Sequence, residues 1–143
     1  MKTSLVRPFI EKFLQGYLEI DELVQPDEDG DYGFRSGTAE VLVTFIEEQP
    51  AIVTVLSMLL RGVKKSPKLL EALNDTNGEW PFAKVYWRED GVVLRLDLLA
   101  ESLDEVQMRT ACDLVSDLAD HLDTLLKEKF HGDLAYAEPE GET

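Results

Sequence analysis

Two neighbouring stretches, Ala39–Ile46 and Ile52–Leu60, are apolar at almost every position. A half-buried antiparallel strand alternates apolar and polar residues, so runs apolar on both faces predict strands covered by helices on one side and by something else on the other. They are joined around Glu47-Glu48-Gln49-Pro50. A connection of even length would put Val41, Val43 and Phe45 on one face with Ile52, Thr54, Leu56 and Met58, the bulkier set and the expected core. The other face would carry Leu42, Thr44, Ile46, Val53, Val55 and Ser57. On this reading Leu42, Ile46, Val53 and Val55 are the expected partner-binding residues.

The remaining pattern supplies the rest of a domain. From Ser4 to about Leu18, Leu5, Phe9, Phe13, Leu14 and Tyr17 recur at helical spacing, with Thr3 or Ser4 available as N-cap. Pro8 fits near the first turn, where backbone N–H groups mostly lack intrahelical partners. Glu19–Val24 reads as a short strand, followed by the acidic loop 25–31, a second extended piece at Tyr32–Ser36 and a turn at Gly37. Ser66-Pro67 opens a helix that carries Leu69, Leu70 and Leu73 and stops at Asn77-Gly78. Phe82–Arg88 and Val92–Leu99 flank Asp90-Gly91, a hairpin signal, with Val92, Leu94, Leu96 and Leu98 on one face and Arg95 and Asp97 on the other. Ser102-Leu103-Asp104-Glu105 reads as a capping box for a last helix ending near Phe130. Its apolar stripe includes Ala111, Leu114, Val115, Leu118, Leu122 and Leu125, with Asp113, Asp117, Asp120 and Asp123 turned largely away. Leu118, Leu122 and Leu125 are expected in the core or at a dimer interface.

These elements predict an α+β domain over residues 3–132, an antiparallel sheet of about five strands flanked by helices in the order α-β-β-β-α-β-β-α. Residues 133–143 read as an acidic flexible tail. At 143 residues the chain can bury a core without staples, and its one cysteine, Cys112, rules out an internal disulfide framework and points to a reducing, cytoplasmic setting. No stretch approaches a membrane span. With 29 acidic against 14 basic residues, a net charge of −15, binding to a nucleic-acid backbone is disfavoured and no nucleic-acid partner is expected.

No catalytic centre emerges. Asp27-Glu28-Asp29-Gly30-Asp31 begins like a calcium loop, but Tyr32 then stands where the tight turn needs glycine and Thr38 where a bidentate glutamate is required, so the segment reads as a solvated acidic turn. His121 and His131 lie ten residues apart and do not form the four-residue pair that suits a metal. Cys112 lacks a basic neighbour that would activate it and reads as a buried thiol, while Ser66 and Ser102 read as caps. Arg61, Lys64, Lys65 and Lys68 cluster at the start of the second helix, either an anion dock or a loop balancing the acidic surface. Trp80 and Trp87 read either as interface anchors or as domain seals. No catalytic, cofactor-binding or metal residues are assigned.

The order of elements resembles the type III secretion chaperone-like fold, most closely its YbjN-related branch. The resemblance rests on Asp29-Gly30-Asp31-Tyr32, Val41–Phe45, the run from Leu69 to Asn77 leading into Phe82-Ala83-Lys84-Val85-Tyr86, and Leu103-Asp104-Glu105, and it spans about residues 3 to 132. It implies a homodimer that binds extended segments of other proteins or acts as a regulatory adaptor without ATP, and it transfers no catalytic residues. The reading is therefore a non-enzymatic, dimeric peptide-binding module. Its rivals are a metal-dependent hydrolase using His121 or the carboxylates of Asp27, Asp29 and Asp31, and a structural subunit of a stable heteromer.

Overall fold

A computed structural model describes residues 1–136. The elements follow in the order α1 (Thr3–Tyr17), β1 (Tyr32–Ser36), β2 (Ala39–Ile46), β3 (Ile52–Arg61), α2 (Pro67–Glu79), β4 (Lys84–Arg88), β5 (Gly91–Leu99), a 3₁₀ turn at Ala100–Ser102, and α3 (Glu105–Phe130). The five strands form one antiparallel sheet in the order β1-β2-β3-β5-β4. The expected α+β architecture is thus present. The segment Glu19–Val24, expected to be a strand, is irregular: α1 ends in a turn and no strand pairs with this stretch.

Register decides which side chains form the core. Ile46 faces Ile52 and Val43 faces Val55, so five residues, Glu47 to Ala51, separate the innermost pair. An odd connection puts residues of like parity on one face. Val41, Val43 and Phe45 therefore share the core face with Val53 and Val55, all buried, while Leu42, Thr44 and Ile46 share the opposite face with Ile52, Thr54 and Leu56. This overturns the face assignment expected from the sequence. Continuing across the sheet, Val53, Val55 and Ser57 stand opposite Leu98, Leu96 and Leu94 on the core face.

Helices α1 and α3 cover that face. The buried residues of α1 are Val6, Ile10, Phe13 and Leu14, so its inward stripe is turned from the expected one and Leu5 is exposed. Neither Thr3 nor Ser4 caps the helix; Lys2 occupies the N-cap position without a side-chain bond. Arg7 pins the acidic loop by donating from Nη1 to the Gly30 carbonyl at 2.8 Å, and its guanidinium lies over the Tyr32 and Phe45 rings.

The 26 residues of α3 run about 39 Å at 1.5 Å per residue. Asp104, rather than Ser102, is its cap, accepting from the Gln107 N–H at 2.8 Å. Leu118 and Leu122 enter the core while Leu125 is exposed. Asp123 is buried, contrary to its expected outward position: Thr38 Oγ1 donates to its Oδ2 at 2.6 Å, tying α3 to the β1–β2 turn. That turn needs glycine. Gly37 has φ +61, and a Cβ there would meet Asp120 Oδ1 at 2.0 Å.

At the other margin, Ser66 caps α2 as expected, accepting from the Leu69 N–H at 3.2 Å. The helix runs past Asn77-Gly78 to Glu79, because the Asn77 side chain serves β4 instead of stopping the helix. Its Nδ2 donates to the Val85 carbonyl at 2.9 Å and its Oδ1 accepts from the Val85 N–H at 2.7 Å. The hairpin turn consists of Glu89 and Asp90, both at positive φ, one position before the expected Asp90-Gly91. Gly91 begins β5, where a Cβ would come 2.7 Å from Met58 Sδ.

Beyond α3, Asp133 forms an antiparallel bridge with Arg61, and the Tyr136 N–H donates to the Thr38 carbonyl at 3.0 Å. Residues 133–136 are therefore tied to the sheet, and the rest of the expected tail, 137–143, lies outside the described residues.

Candidate functional site

The residues weighed for chemistry remain apart or have structural roles. Cys112 is buried on α3, and burial first, then the neighbouring Asp113 carboxylate, pushes its thiol up to about 12, against the pull of Arg109. His121 and His131 are exposed. Among the described residues, the one group of three side chains close enough to share a metal is Asp27, Asp29 and Asp31, whose ligand atoms lie within 4.8 Å of one another. Its geometry is that of a self-capped turn: Asp27 Oδ1 accepts from the Asp29 N–H at 2.9 Å and the Asp31 N–H at 3.0 Å. Burial, then the two neighbouring carboxylates, raises the Asp31 pKa, while Arg7 lowers it. His121 is not part of this group. Trp87 is a seal, donating from Nε1 to the Val63 carbonyl at 2.8 Å, whereas Trp80 is exposed.

Contact surfaces are more developed. No helix packs on the second face of the sheet among the described residues. Its apolar side chains are Leu42 and Ile46 from β2, Ile52, Leu56 and Met58 from β3, and Val93 and Leu99 from β5; Val93 is buried, whereas Ile46 is 36% and Leu99 55% exposed. Leu42 and Ile46 thus lie on the surface where they were expected. Val53 and Val55 do not: both are fully buried on the opposite face, beneath the helices. Two-sided apolar strands give no alternation by which sequence reasoning could have separated the pairs.

Polar groups organise this open face near its centre. Thr54 and Arg95 both hold Asp97 Oδ1, and Lys84 Nζ lies 3.8 Å from its Oδ2. The register also places Arg61 and Arg88 on either side of Gly91. Residues 61–95 hold seven of the chain's 14 basic residues against five acids, which leaves 24 acids against seven bases on the rest.

A separate apolar groove of about 330 Å³ lies between the end of β5 and the first half of α3, lined by Phe82, Leu98, Val106, Thr110 and Leu114 among others. Sequence reasoning missed it. The available signals were Pro81, which interrupts the approach to β4, and Val106, an apolar residue in the first turn of α3 away from its core stripe.

With this geometry defined, comparison with known proteins places the chain. Residues 5–138 match the family described as T3SS (YopN, CesT) and YbjN peptide-binding chaperone 1, and the chain belongs to that family. Two solved structures share its fold. The crystal structure of the ExsC-ExsE complex contains a chain that superposes with a TM-score of 0.67 at 18% identity, covering 87% of this chain and 95% of that one. The structure of the HopA1-SchA chaperone-effector complex contains one with a TM-score of 0.66 at 10% identity, covering 87% and 98%. A search of curated proteins finds no match to this chain.

Proposed function

We propose that this chain is a non-enzymatic, cytoplasmic chaperone or regulatory adaptor that binds extended segments of partner proteins and works as a homodimer. The observation that carries this reading is the apolar sheet face left without a helix, on which Leu42 and Ile46 stand beside Ile52, Leu56 and Met58. Burying a large apolar side chain contributes on the order of 1.5–3 kcal/mol before ordering costs, so a few such residues suffice for reversible association. Family membership supports the peptide-binding part of the reading. Cys112, the only cysteine and fully buried, suits a reducing compartment.

The test is the solution mass by light scattering across a concentration series, together with binding to an array of synthetic peptides of varied sequence. A dimer that binds extended apolar peptides is the expected result. A monomer at every concentration would remove the homodimer, and an array with no bound peptide would remove the chaperone reading.

A further inference from the structure

Tyr136 sits in a seat that is built without it. Arg35 and Glu40 are cross-strand partners in β1 and β2, and the register puts them on the open face of the sheet with Gly33 and Leu42. The Arg35 guanidinium lies 4.4 Å from the centre of the Tyr136 ring, the Tyr136 hydroxyl donates to Glu40 Oε2 at 3.2 Å, and the Tyr136 N–H donates to the Thr38 carbonyl. Each of the three partners is also anchored from its own side. Arg35 Nε donates to the Gly37 carbonyl at 2.8 Å, Thr38 Oγ1 donates to Asp123 Oδ2, and the Glu40 carbonyl accepts from Ser57 Oγ at 2.7 Å. Removing Tyr136 would therefore leave the seat standing, and a site already ordered before binding loses less of its interaction energy to ordering. Neither Arg35 nor Glu40 forms an ion pair among the described residues, so the guanidinium face and the carboxylate remain for this use.

The segment that carries Tyr136 is lightly held. After α3 the chain turns at Gly132, φ +90, where a Cβ would come 2.9 Å from the Arg61 carbonyl, and Asp133 then pairs with the Arg61 backbone. Asp133 and Ala135 are exposed, and Leu134 is only partly buried against the core. A stretch with few buried contacts and exposed hydrogen bonds opens at low cost. Beside Tyr136 a pocket of about 460 Å³ runs past Gly33 and Leu42, so a chain seated at Arg35 can continue onto the apolar face.

The seat is chemically selective. A guanidinium favours an aromatic face, the carboxylate takes a hydroxyl donor, and the Thr38 carbonyl needs a backbone N–H. Tyrosine supplies all three. Phenylalanine would leave Glu40 without its donor, and an aliphatic side chain would also forfeit the contact with Arg35.

We propose that Arg35, Thr38 and Glu40 form a recognition site for a tyrosine of a partner segment, and that Tyr136 occupies it in the free chain as an internal competitor which the partner's tyrosine displaces. The proposal rests on the peptide-binding reading and gives it a residue preference and an autoinhibitory contact. A seat closed nine-tenths of the time would weaken an entering tyrosine about 10-fold.

The test is an NMR titration with acetyl-Leu-Ala-Tyr-Ala-Glu-amide, a peptide copying Leu134–Glu138, read at the amides of Arg35, Thr38 and Glu40. The wild type is compared with Tyr136→Pro, which removes ring, hydroxyl and N–H together and is checked for an unchanged melting transition. Tyr136→Ala, which keeps the N–H, is the second variant. The expected result is binding at least about 10-fold tighter to Tyr136→Pro than to the wild type, with a smaller gain for Tyr136→Ala. In the Tyr136→Pro background, Arg35→Lys keeps the charge but loses the planar face and should cost at least about 3-fold. The phenylalanine peptide should bind at least about 3-fold more weakly and the leucine peptide at least about 10-fold. In the wild type, saturating peptide should speed amide exchange at Tyr136.

Equal affinity for the wild type and both variants, or affinity that Arg35→Lys and the phenylalanine peptide leave unchanged, would overturn the seat. So would an absence of shifts at Arg35, Thr38 and Glu40 in Tyr136→Pro at about 5 mM peptide. Those failures leave the peptide-binding reading in place, because that reading stands or falls with the synthetic peptide array. Array peptides that contain tyrosine and bind the wild type while the Tyr136 N–H stays protected would likewise overturn the seat alone.

Discussion

Thr54 donates a hydrogen bond from Oγ1 to Asp97 Oδ1 at 2.7 Å, across β3 and β5 in the middle of the uncovered sheet face. Arg95 Nε meets the same oxygen at 2.8 Å. Burial opposes the charge on Asp97, but these bonds, aided by the charges of Arg95 and Lys84, outweigh it and hold the carboxyl below the ordinary aspartate range. A depressed folded pKa adds stability above the unfolded value of about 3.9, and that contribution is lost as the pH falls through the folded value. Asp97→Asn should therefore cost about 0.5–1.5 kcal/mol at neutral pH, allowing for solvent screening. Urea denaturation should show the two proteins converging once the pH falls below the folded pKa; a constant difference would mean that the charge of Asp97 contributes nothing.

Adjacent substitutions on β3 test which face is the core. Val55→Asp places a carboxylate beneath the helices and should cost more than about 4 kcal/mol, enough to unfold a marginal domain. Leu56→Asp, one residue on and facing outward, should leave the melting temperature within a few degrees while shifting a dimer toward monomer in light scattering. Similar effects from both would contradict the register.

The Asn77 amide holds both backbone groups of Val85, so it joins α2 to the outer edge of β4. Asn77→Ala leaves that donor and acceptor without their partner and should cost about 1–3 kcal/mol. Amide exchange should locate the effect: the Val85 N–H should exchange much faster in the variant, with β2 unaffected.

Cys112 provides a pH test of opposite sign. Its thiol is pushed up to about 12 by burial, so the neutral form is favoured in the folded state. Its stabilising effect is complete below the unfolded thiol value of about 8.5 and declines as the pH rises toward the folded value. Iodoacetamide should modify the native protein far more slowly than the urea-unfolded chain at pH 8, and above about pH 9 the wild type should lose stability relative to Cys112→Ala. Rapid native alkylation would place the thiol at the surface.

Much of the fold was legible because helices carry their own signals. Ser66-Pro67 and the periodic leucines of α3 needed no tertiary information. The sheet faces did require it: Val53 and Leu56 are both apolar, so only the count of residues in the connection distinguishes core from surface, and that count was one residue away from the expected parity. The helical stripe of α1 failed for a similar reason, since Leu5 and Val6 are equally apolar and packing chose Val6. Glu19–Val24 had a strand-like composition but no neighbour to pair with. The groove arises from a strand ending early, a property of two segments whose meeting neither sequence encodes alone.

The uneven placement of charge has a kinetic consequence. With 24 acids against seven bases outside residues 61–95 and more bases than acids within them, the molecule would carry an uneven field in solution. An approaching partner would experience a torque before any contact forms, and oppositely charged regions would be drawn toward each other from about one Debye length, ~8 Å at physiological ionic strength. Encounter rates should then fall steeply with added salt while dissociation, governed by buried apolar contacts, changes little; the molecule would select the orientation of arrival separately from the strength of grip.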